Sequence, residues 1–243
     1  MLKKYAQNKN TRIEYLINES ISEKYPFVMS MGIWEPAFRA ECILSTIKDR
    51  KAFALSYRGR GGSDAPENGY DWRDHATDLH AVLANEKIEA AVFLGFSKGV
   101  SYLLGYLKDN INKAKGLILV DFPAIHAGPV VGYADYWDSM VYLGERLGDH
   151  IKRKTLDGIE RESTYMEFYD VIARLQCPIV IFRGTKEYAK IASNLTKDDI
   201  NKYTEANSST NIVDFSNSGH MIFDDECDKA VDAIHRFIMD NNL

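Results

Sequence analysis

The segment Gly95–Gly99 (GFSKG) has the residue types and the spacing of a nucleophilic serine site. It follows an apolar run that ends at Leu94 and opens an apolar stretch that begins near Val100. A sharp turn from a strand into a helix pushes its central residue out at the sheet edge, and flanking glycines remove side chains that would clash. Ser97 would then lie at a helix N-terminus, where developing negative charge is stabilised. The spacing predicts a nucleophile, although an incidental serine in a glycine-bracketed turn has the same pattern.

A serine needs a base to become a nucleophile, and that base is nearly always histidine. His220 follows the turn 216–219, which comes directly after the apolar pair 212–213, so it is predicted on a loop at the same sheet edge as Ser97. A lone histidine is more often a surface or core residue, but the position of His220 favours it as the base. The other histidines fall on predicted helices or in or beside a region without strands: His75, His80, His126, His150 and His235.

The third member of such a site is a carboxylate that orients the histidine and stabilises its cation. Glu187 lies just past the apolar run 178–182, three residues after Gly184. Asp121 ends the apolar run 116–120 and is the competing carboxylate. Either acid could instead be an ordinary surface or ion-paired residue. The residues alone therefore leave both candidates open.

Composition and charge narrow the possible partners. The chain carries 30 Lys and Arg against 35 Asp and Glu, which gives a formal net charge of −5. Nucleic acid binding needs a cationic surface, so we do not expect nucleic acid as the main partner. No apolar run approaches the length of a membrane-spanning helix, so no membrane span is expected.

Cysteine and glycine patterns indicate that no cofactor is needed. Cys42, Cys177 and Cys227 are widely spaced without a C-x-x-C pair, which predicts reduced, buried thiols in a cytoplasmic protein and no zinc site built from cysteine. The segment 59–64 lacks the third glycine of a dinucleotide-binding loop, so no NAD site is inferred. We expect neither a metal nor an organic cofactor. The expected partner is a small-molecule substrate.

Short apolar runs indicate the elements that must position these residues. The runs do not alternate with polar residues, which is typical of strands buried on both faces of a parallel sheet. Between them, apolar residues recur at helical spacing, as in the segment 72–83. This alternation, from about residue 26 onward, predicts a doubly wound α/β fold with a mostly parallel sheet. The runs are 27–29, 53–55, 90–94, 116–120, 178–182 and 212–213.

Residues 123–174 interrupt the alternation, because no clear strand occurs among them. A structureless loop of that length is uncommon in a compact domain, so a small helical insertion at the ligand-binding edge of the sheet is predicted. The chain would then divide into a core, formed by residues 1–122 and 175–243, and an insertion, formed by residues 123–174. The segment Arg12–Asn18 is expected to add an antiparallel edge strand.

These residues together resemble the α/β-hydrolase superfamily of serine hydrolases over nearly the whole chain. The loop Ser56–Pro66 (SYRGRGGSDAP) is similar to that family's D-x-R-G-x-G-x-S-x-x-P loop, with Ser56 in place of the usual Asp. The segment Gly95–Gly99, then Gly184-x-x-Glu187 and then Gly219-His220 follow the family's order of nucleophile, acid and histidine. The resemblance implies an α/β-hydrolase fold, with residues 123–174 as its helical cap.

The sequence departs from the family in the loop that would bind an oxyanion. Met31 stands where the family usually has histidine. By position in the family pattern, the backbone N–H groups of Ile33 and Lys98 would form the oxyanion hole. The side chain of Lys98, unusual after a nucleophile, would either reach solvent, which we expect, or add positive charge near the oxyanion.

The resemblance implies a cytoplasmic serine hydrolase that cleaves a small or medium carboxylic ester through an acyl-enzyme. Ser97 is the predicted nucleophile and His220 the base. We predict Glu187 as the acid, with Asp121 as the alternative. Hydrolysis of a carbon–carbon, thioester or amide bond by the same triad is one alternative function. Another is a ligand-binding protein of this fold with little turnover.

Overall fold

The computed structural model describes residues 1–128, 130–142 and 144–243. An eight-stranded sheet lies at its centre. All six apolar runs of the sequence form strands of this sheet, because such segments are stable only where both faces are covered. The strands are β1 (Leu2–Asn8), β2 (Thr11–Ile17), β3 (Phe27–Ser30), β4 (Ala52–Leu55), β5 (Ala91–Phe96), β6 (Ala114–Val120), β7 (Ile179–Gly184) and β8 (Asn211–Phe215).

The strands are arranged in the spatial order β1-β2-β4-β3-β5-β6-β7-β8. Strands β3 to β8 pair in parallel, whereas β1 with β2 and β2 with β4 pair antiparallel. The carboxyl ends of the parallel strands therefore meet at one edge of the sheet. The loops that follow β3, β5, β6, β7 and β8 all leave the sheet at this edge, which is where a ligand site is expected.

The N-terminal strands differ from the sequence prediction in one respect. The segment Arg12–Asn18 was expected to form the antiparallel edge strand, and it corresponds to β2. The edge itself is β1, which pairs with β2 over its whole length. Its sequence, LKKYAQN, is mostly exposed and polar, as is usual for an edge strand, so it carries no apolar run that would reveal it.

Helices cover both faces of the sheet. Helices α1, α2, α5 and α6 contribute to one apolar cluster, whereas α7 and the short helices between residues 37 and 44 contribute to the cluster on the opposite face. No helix within the described ranges is long and apolar enough to cross a membrane. The helices of six or more residues are α1 (Trp72–Asn85), α2 (Gly99–Asp109), α3 (Tyr133–Ser139), α4 (Arg153–Glu162), α5 (Tyr169–Arg174), α6 (Lys197–Ala206) and α7 (Cys227–Asp240). The shorter ones are Ala37–Ala40, Glu41–Leu44, Ile111–Lys113, Leu147–His150 and Ile222–Asp225.

Between β6 and β7, the residues that the structure describes form α3, α4 and α5 but add no strand to the main sheet. Their strands are two-residue pairs: Ile125–His126 with Met166–Glu167, and Val141–Tyr142 with Glu145–Arg146. They have a small apolar cluster of their own, to which Trp34 of the core is added. The division into a core and a cap remains a prediction.

The cysteines were expected to be buried, and this expectation is wrong. Cys42 is exposed, whereas Cys177 and Cys227 are half-buried. All of them are free thiols. Cys42 lies in the short helix Glu41–Leu44, where only its neighbours Ile43 and Leu44 face the core.

Candidate active site

Ser97 lies in the turn between β5 and α2, at the carboxyl edge of the sheet. Its φ of 54° is left-handed, a conformation that residues other than glycine adopt rarely. The turn is held in place because the N–H of Ser97 donates to the carbonyl of Val120 at 3.0 Å. Glycine is required at position 99, since a Cβ there would lie 2.2 Å from the carbonyl oxygen of Ser30. The turn thus brings Ser97 against the loop that follows β3.

His220 lies on the loop that follows β8, and the structure brings it to Ser97. Its Nε2 is 2.9 Å from Oγ of Ser97. The backbone N–H of His220 donates to the carbonyl of Ile191 at 2.9 Å, and the imidazole stacks on the ring of Phe96 with 5.3 Å between centroids. The loop position predicted from sequence therefore places the imidazole where it can accept the serine proton.

Asp121 is the carboxylate that contacts His220. It follows β6 with a φ of 50° and is fully buried. The Nδ1–H of His220 donates to Oδ2 of Asp121 at 2.8 Å. Because a carboxylate only accepts hydrogen bonds, Nδ1 carries the proton and Nε2 is free to accept one from Ser97. The side chains of Ser97, His220 and Asp121 form one hydrogen-bonded chain.

Glu187 does not take this position, so the preference for Glu187 over Asp121 is reversed. Its side chain is exposed, and it makes no hydrogen bond or ion pair with any described residue. The backbone after β7 continues beside the loop after β8, since the N–H of Thr185 donates to the carbonyl of Phe215 and that of Lys186 to the carbonyl of Ser218. Glu187 follows these bonds and points into solvent rather than toward His220.

Ser193 and Asn194 contact the site, although the sequence analysis did not identify them. The Ser193 hydroxyl donates to Oδ1 of Asp121 at 2.5 Å, and the backbone N–H of Asn194 donates to Oδ2 at 2.9 Å. The N–H of Gly184 adds a bond of 3.1 Å to Oδ1. With His220, Asp121 thus accepts four hydrogen bonds that stabilise its charge without water. Residues 193–194 match no motif, and their sequence gives no signal of this role.

The predicted oxyanion donors lie on two loops, Ile33 after β3 and Lys98 in the turn after β5. A Cβ on Gly32 would lie 3.2 Å from Cβ of Ser97, so the loop after β3 lies against Ser97. The backbone N–H groups of Ile33 and Lys98 donate to no acceptor among the described residues. Arg60 fixes the loop, because its Nε–H donates to the carbonyl of Ile33 at 2.8 Å. Two unpaired N–H groups beside a serine can together bind one oxygen anion.

The Lys98 side chain does not reach solvent as expected, since the residue is only 9% exposed. Burial, and to a smaller extent the charge of Arg60, lower the pKa of the ammonium to about 8, whereas Asp71 opposes the shift. Desolvation disfavours the charged form of a lysine, which explains the direction. The residue that directly follows Ser97 therefore carries a largely buried basic group.

The segment 123–174 contacts the loop that follows β3. Tyr142 of that segment donates a hydrogen bond to the buried carboxylate of Glu35, which also accepts one from Arg39 at 3.0 Å. Burial raises the pKa of Glu35, and its hydrogen bonds with these two partners oppose the rise. Trp34 and Trp137 also meet edge to face, with ring centroids 4.9 Å apart. These contacts attach the segment to the predicted oxyanion loop.

The described residues contain no cluster of three His, Cys, Asp or Glu side chains that could hold a metal ion. The arrangement supplies a hydroxyl, a base that can take its proton, an acid that orients the base, and two free N–H donors. These are the parts required for attack on a carbonyl carbon.

The sequence matches no model of a known protein family and no curated protein. Solved structures do match it over almost its whole length. A putative aryl esterase from Burkholderia cenocepacia has a TM-score of 0.80 at 16% identity, covering 99% of each chain. An enol-lactonase from Burkholderia xenovorans LB400 has a TM-score of 0.79 at 15% identity, covering 97% of this chain and 100% of the other. An esterase from Rhodococcus sp. ECU1013 has a TM-score of 0.77 at 20% identity, covering 98% of this chain and 99% of the other.

These similarities concern the fold. They extend over the whole sheet, its helices and the segment between β6 and β7, and they confirm the α/β-hydrolase fold that the sequence predicted. The observed strand order and the mostly parallel pairing agree with that result. The chain therefore has the α/β-hydrolase fold, with a doubly wound, mostly parallel sheet.

Proposed function

We propose that the protein is a serine hydrolase that cleaves a small or medium carboxylic ester through an acyl-enzyme on Ser97. The observation that carries this proposal is the hydrogen-bonded chain from Ser97 through His220 to Asp121, with distances of 2.9 and 2.8 Å. The acid in this proposal is Asp121 and not Glu187. We further propose that residues 123–174 act as the cap and that the enzyme is cytoplasmic.

The reaction follows from the proton positions. Ser97 Oγ attacks the carbonyl carbon while its proton passes to Nε2 of His220, and the resulting imidazolium is stabilised by Asp121. The carbonyl oxygen becomes an anion and accepts hydrogen bonds from the N–H groups of Ile33 and Lys98. His220 then returns the proton to the leaving alcohol. A water molecule, deprotonated by the same nitrogen, releases the acid and restores Ser97.

An ester is the proposed bond because of the structural neighbours. Two of the three described above are named as esterases and the third as an enol-lactonase, and a lactone is a cyclic ester. A deformylase acting on N-formylmaleamic acid shares the fold at a TM-score of 0.72. The same triad can serve amide, thioester or carbon–carbon bond hydrolysis, so a substrate panel should include these bonds.

The nucleophile is tested with a fluorophosphonate probe, which reacts only with an activated serine. We expect the wild type to be labelled at Ser97 and to hydrolyse short p-nitrophenyl esters. Ser97→Ala should fold normally, lose labelling, and lose at least about 10⁴-fold in kcat, because no other group can form the acyl-enzyme. Ser208→Ala, at an exposed serine outside the site, is the matched control and should behave as wild type.

Two outcomes would contradict the proposal. Labelling or full esterase activity in Ser97→Ala would show that another residue is the nucleophile. A folded wild type that is neither labelled nor active on any ester, thioester or amide would favour the ligand-binding alternative.

A further inference from the structure

Lys98 places a buried positive charge beside the nucleophile without an anionic partner. Its ammonium makes no hydrogen bond and no ion pair with the residues that the structure describes. An ammonium has three N–H donors, and buried donors are normally satisfied by protein, water or ligand. Lys98 retains 9% exposure, so its surroundings are not completely closed. The charge thus lacks a partner among the described residues, and it belongs to the residue that directly follows Ser97.

Arg60 adds a second buried cation to the same region. The residue is 1% exposed and is placed by the loop that follows β4. Its hydrogen-bond partners are all neutral: the carbonyl of Ile33 at 2.8 Å, Nε2 of His75 at 3.0 Å, the carbonyl of Arg58 and the hydroxyl of Tyr102. Its bond to Ile33 places Arg60 at the loop after β3, where the preceding residue, Gly32, lies against Ser97. Among the described residues, no carboxylate lies at ion-pair distance from either cation.

Arg58, two residues from Arg60, is a buried cation that is paired with a carboxylate. Its Nη2–H donates to Oδ1 of Asp78 at 2.7 Å and its Nε–H donates to Oδ2 of the same carboxylate at 2.9 Å. Asp78 is fully buried, so the pair is desolvated but neutral overall. Removing a charge from water is costly unless it is paired in this way. Lys98 and Arg60 have no such compensation.

Asp71 is the nearest acid that acts on Lys98, but it is engaged elsewhere. Its carboxylate accepts hydrogen bonds from Arg73 at 2.6 Å and from the backbone N–H and hydroxyl of Thr164, each at 3.0 Å. It raises the pKa of Lys98 only as a minor influence. The region therefore keeps an excess of positive charge.

His126 contributes a neutral acceptor to the same region. The Ser101 hydroxyl donates to the carbonyl of Lys98 at 2.8 Å, so the 2.9 Å contact between Ser101 Oγ and Nδ1 of His126 requires Nδ1 to be the donor. Nε2 is then an acceptor, fully buried and without a hydrogen-bond partner. Burial, and to a smaller extent the charges of Lys98 and Arg73, lower the pKa of His126 to about 2, so the imidazole stays neutral. The neutral imidazole therefore does not compensate the charge of Lys98.

We propose that the substrate of the Ser97 site carries a carboxylate group, which the ammonium of Lys98 binds beside the scissile bond. This inference rests on the proposed hydrolase function and adds its substrate class. Arg60 strengthens the attraction through its uncompensated charge. A carboxylate fits better than a larger polyanion, since Lys98 offers one compact charge rather than a fork of donors.

The test measures binding in a Ser97→Ala protein, so that no ester is consumed. Monoethyl glutarate carries one carboxylate, and diethyl glutarate is its neutral counterpart. We expect the monoester to bind about 10- to 100-fold more tightly at pH 7 by titration calorimetry, because a hydrogen bond to a charged group contributes that much. Adding Lys98→Met should remove the preference, whereas Lys98→Arg should keep most of it. Adding Lys152→Met, at an exposed lysine of the segment 123–174, is the matched control and should leave the preference for the monoester intact.

A pH series separates charge recognition from a structural role of Lys98. The preference should be present below pH 8 and be lost as the pH rises through about 8, because the ammonium then loses its proton while the carboxylate stays ionised. With Lys98→Arg the preference should persist at high pH, since a guanidinium keeps its charge. The groups that act on Lys98 or its neighbour His126 are Arg60, Asp71 and Arg73.

Equal binding of the two esters, or a preference that survives Lys98→Met, would overturn this inference. Its failure is distinct from failure of the proposed function. A wild type that prefers the carboxylate but is never labelled by the fluorophosphonate would keep the anion site and refute the hydrolase. A wild type that is labelled but binds both esters equally would support the hydrolase and refute the anion site.

Discussion

The loops that follow β6 and β7 leave the same sheet edge, and each presents one carboxylate. Asp121, on the first loop, is fully buried and accepts hydrogen bonds from His220 and three other donors. Glu187, on the second loop, is exposed and contacts none of these groups. The two acids are therefore equivalent in sequence context but opposite in environment.

The second loop nevertheless belongs to the site, because it supplies donors to the acid of the first. Gly184, Ser193 and Asn194 all bind the Asp121 carboxylate. A Cβ on Gly184 would lie 2.0 Å from the carbonyl oxygen of Gly219, so the loop also packs directly against the residue before His220. The position of a residue after a strand therefore indicates which sheet edge its side chain reaches. The path of the loop decides whether that side chain joins the site.

The largest expected effect is a loss of kcat when the charge of Asp121 is removed, with almost no loss when that of Glu187 is removed. Asp121→Asn keeps the shape of the side chain but removes its charge, which leaves the imidazolium unsupported and its tautomer unfixed. A comparable substitution in a serine protease triad lowers kcat by about 10⁴-fold, and we expect a similar loss here. Glu187→Gln should change kcat by less than about twofold, because surface substitutions rarely disturb a distant site.

Both variants should be checked for folding by circular dichroism and assayed on one ester. An active Asp121→Asn enzyme together with a crippled Glu187→Gln enzyme would return the acid to the β7 loop. Loss of activity in both would mean that Glu187 reaches the site in a conformation other than the one described.

The sequence predicted those parts of the molecule that depend on local pattern. The parallel strands and the turn around Ser97 were predictable because burial on both faces and a tight turn restrict residue types directly. Strand β1 was not, since an exposed edge tolerates polar residues. The contact of Asp121 with His220 and the burial of Lys98 depend on how separate loops pack together. No local sequence pattern indicates such packing.

A smaller effect is expected when one donor to Asp121 is removed. Ser193→Ala deletes the hydroxyl that donates to Oδ1 at 2.5 Å and leaves the three other hydrogen bonds in place. A hydrogen bond to a charged group contributes about 1.5–3 kcal/mol, part of which the remaining donors should recover. We expect kcat to fall about tenfold with KM unchanged, because the bond acts on the base and not on substrate binding.

The control for this prediction is Ser193→Thr, which keeps the hydroxyl and should retain most of the activity. Ser208→Ala tests whether loss of a serine hydroxyl elsewhere on the surface has any effect. If Ser193→Ala raised KM without lowering kcat, Ser193 would contact substrate rather than support Asp121.

The smallest expected effect concerns backbone strain, which the two loops share. Asp121 has a φ of 50° and Tyr188, next to Glu187, has a φ of 56°. At Asp121 this conformation aims the carboxylate at His220, and aspartate tolerates it better than most residues. Tyr188 is fully exposed, so its side chain gains no packing in return for the strain.

Tyr188→Gly should therefore raise the free energy of unfolding by up to about 1 kcal/mol. A left-handed conformation costs an L-residue about 1–2 kcal/mol, and the extra freedom of glycine in the unfolded chain offsets about 0.5–1 kcal/mol of the relief. Tyr188→Ala retains the Cβ and hence the strain, so it should leave stability unchanged and isolates the backbone effect. Urea unfolding of the two variants measures the difference, and kcat/KM should match wild type in both. A loss of stability in Tyr188→Gly larger than in Tyr188→Ala would mean that the left-handed turn is not strained, and the β7 loop would then resemble the β6 loop more closely than its exposure indicates.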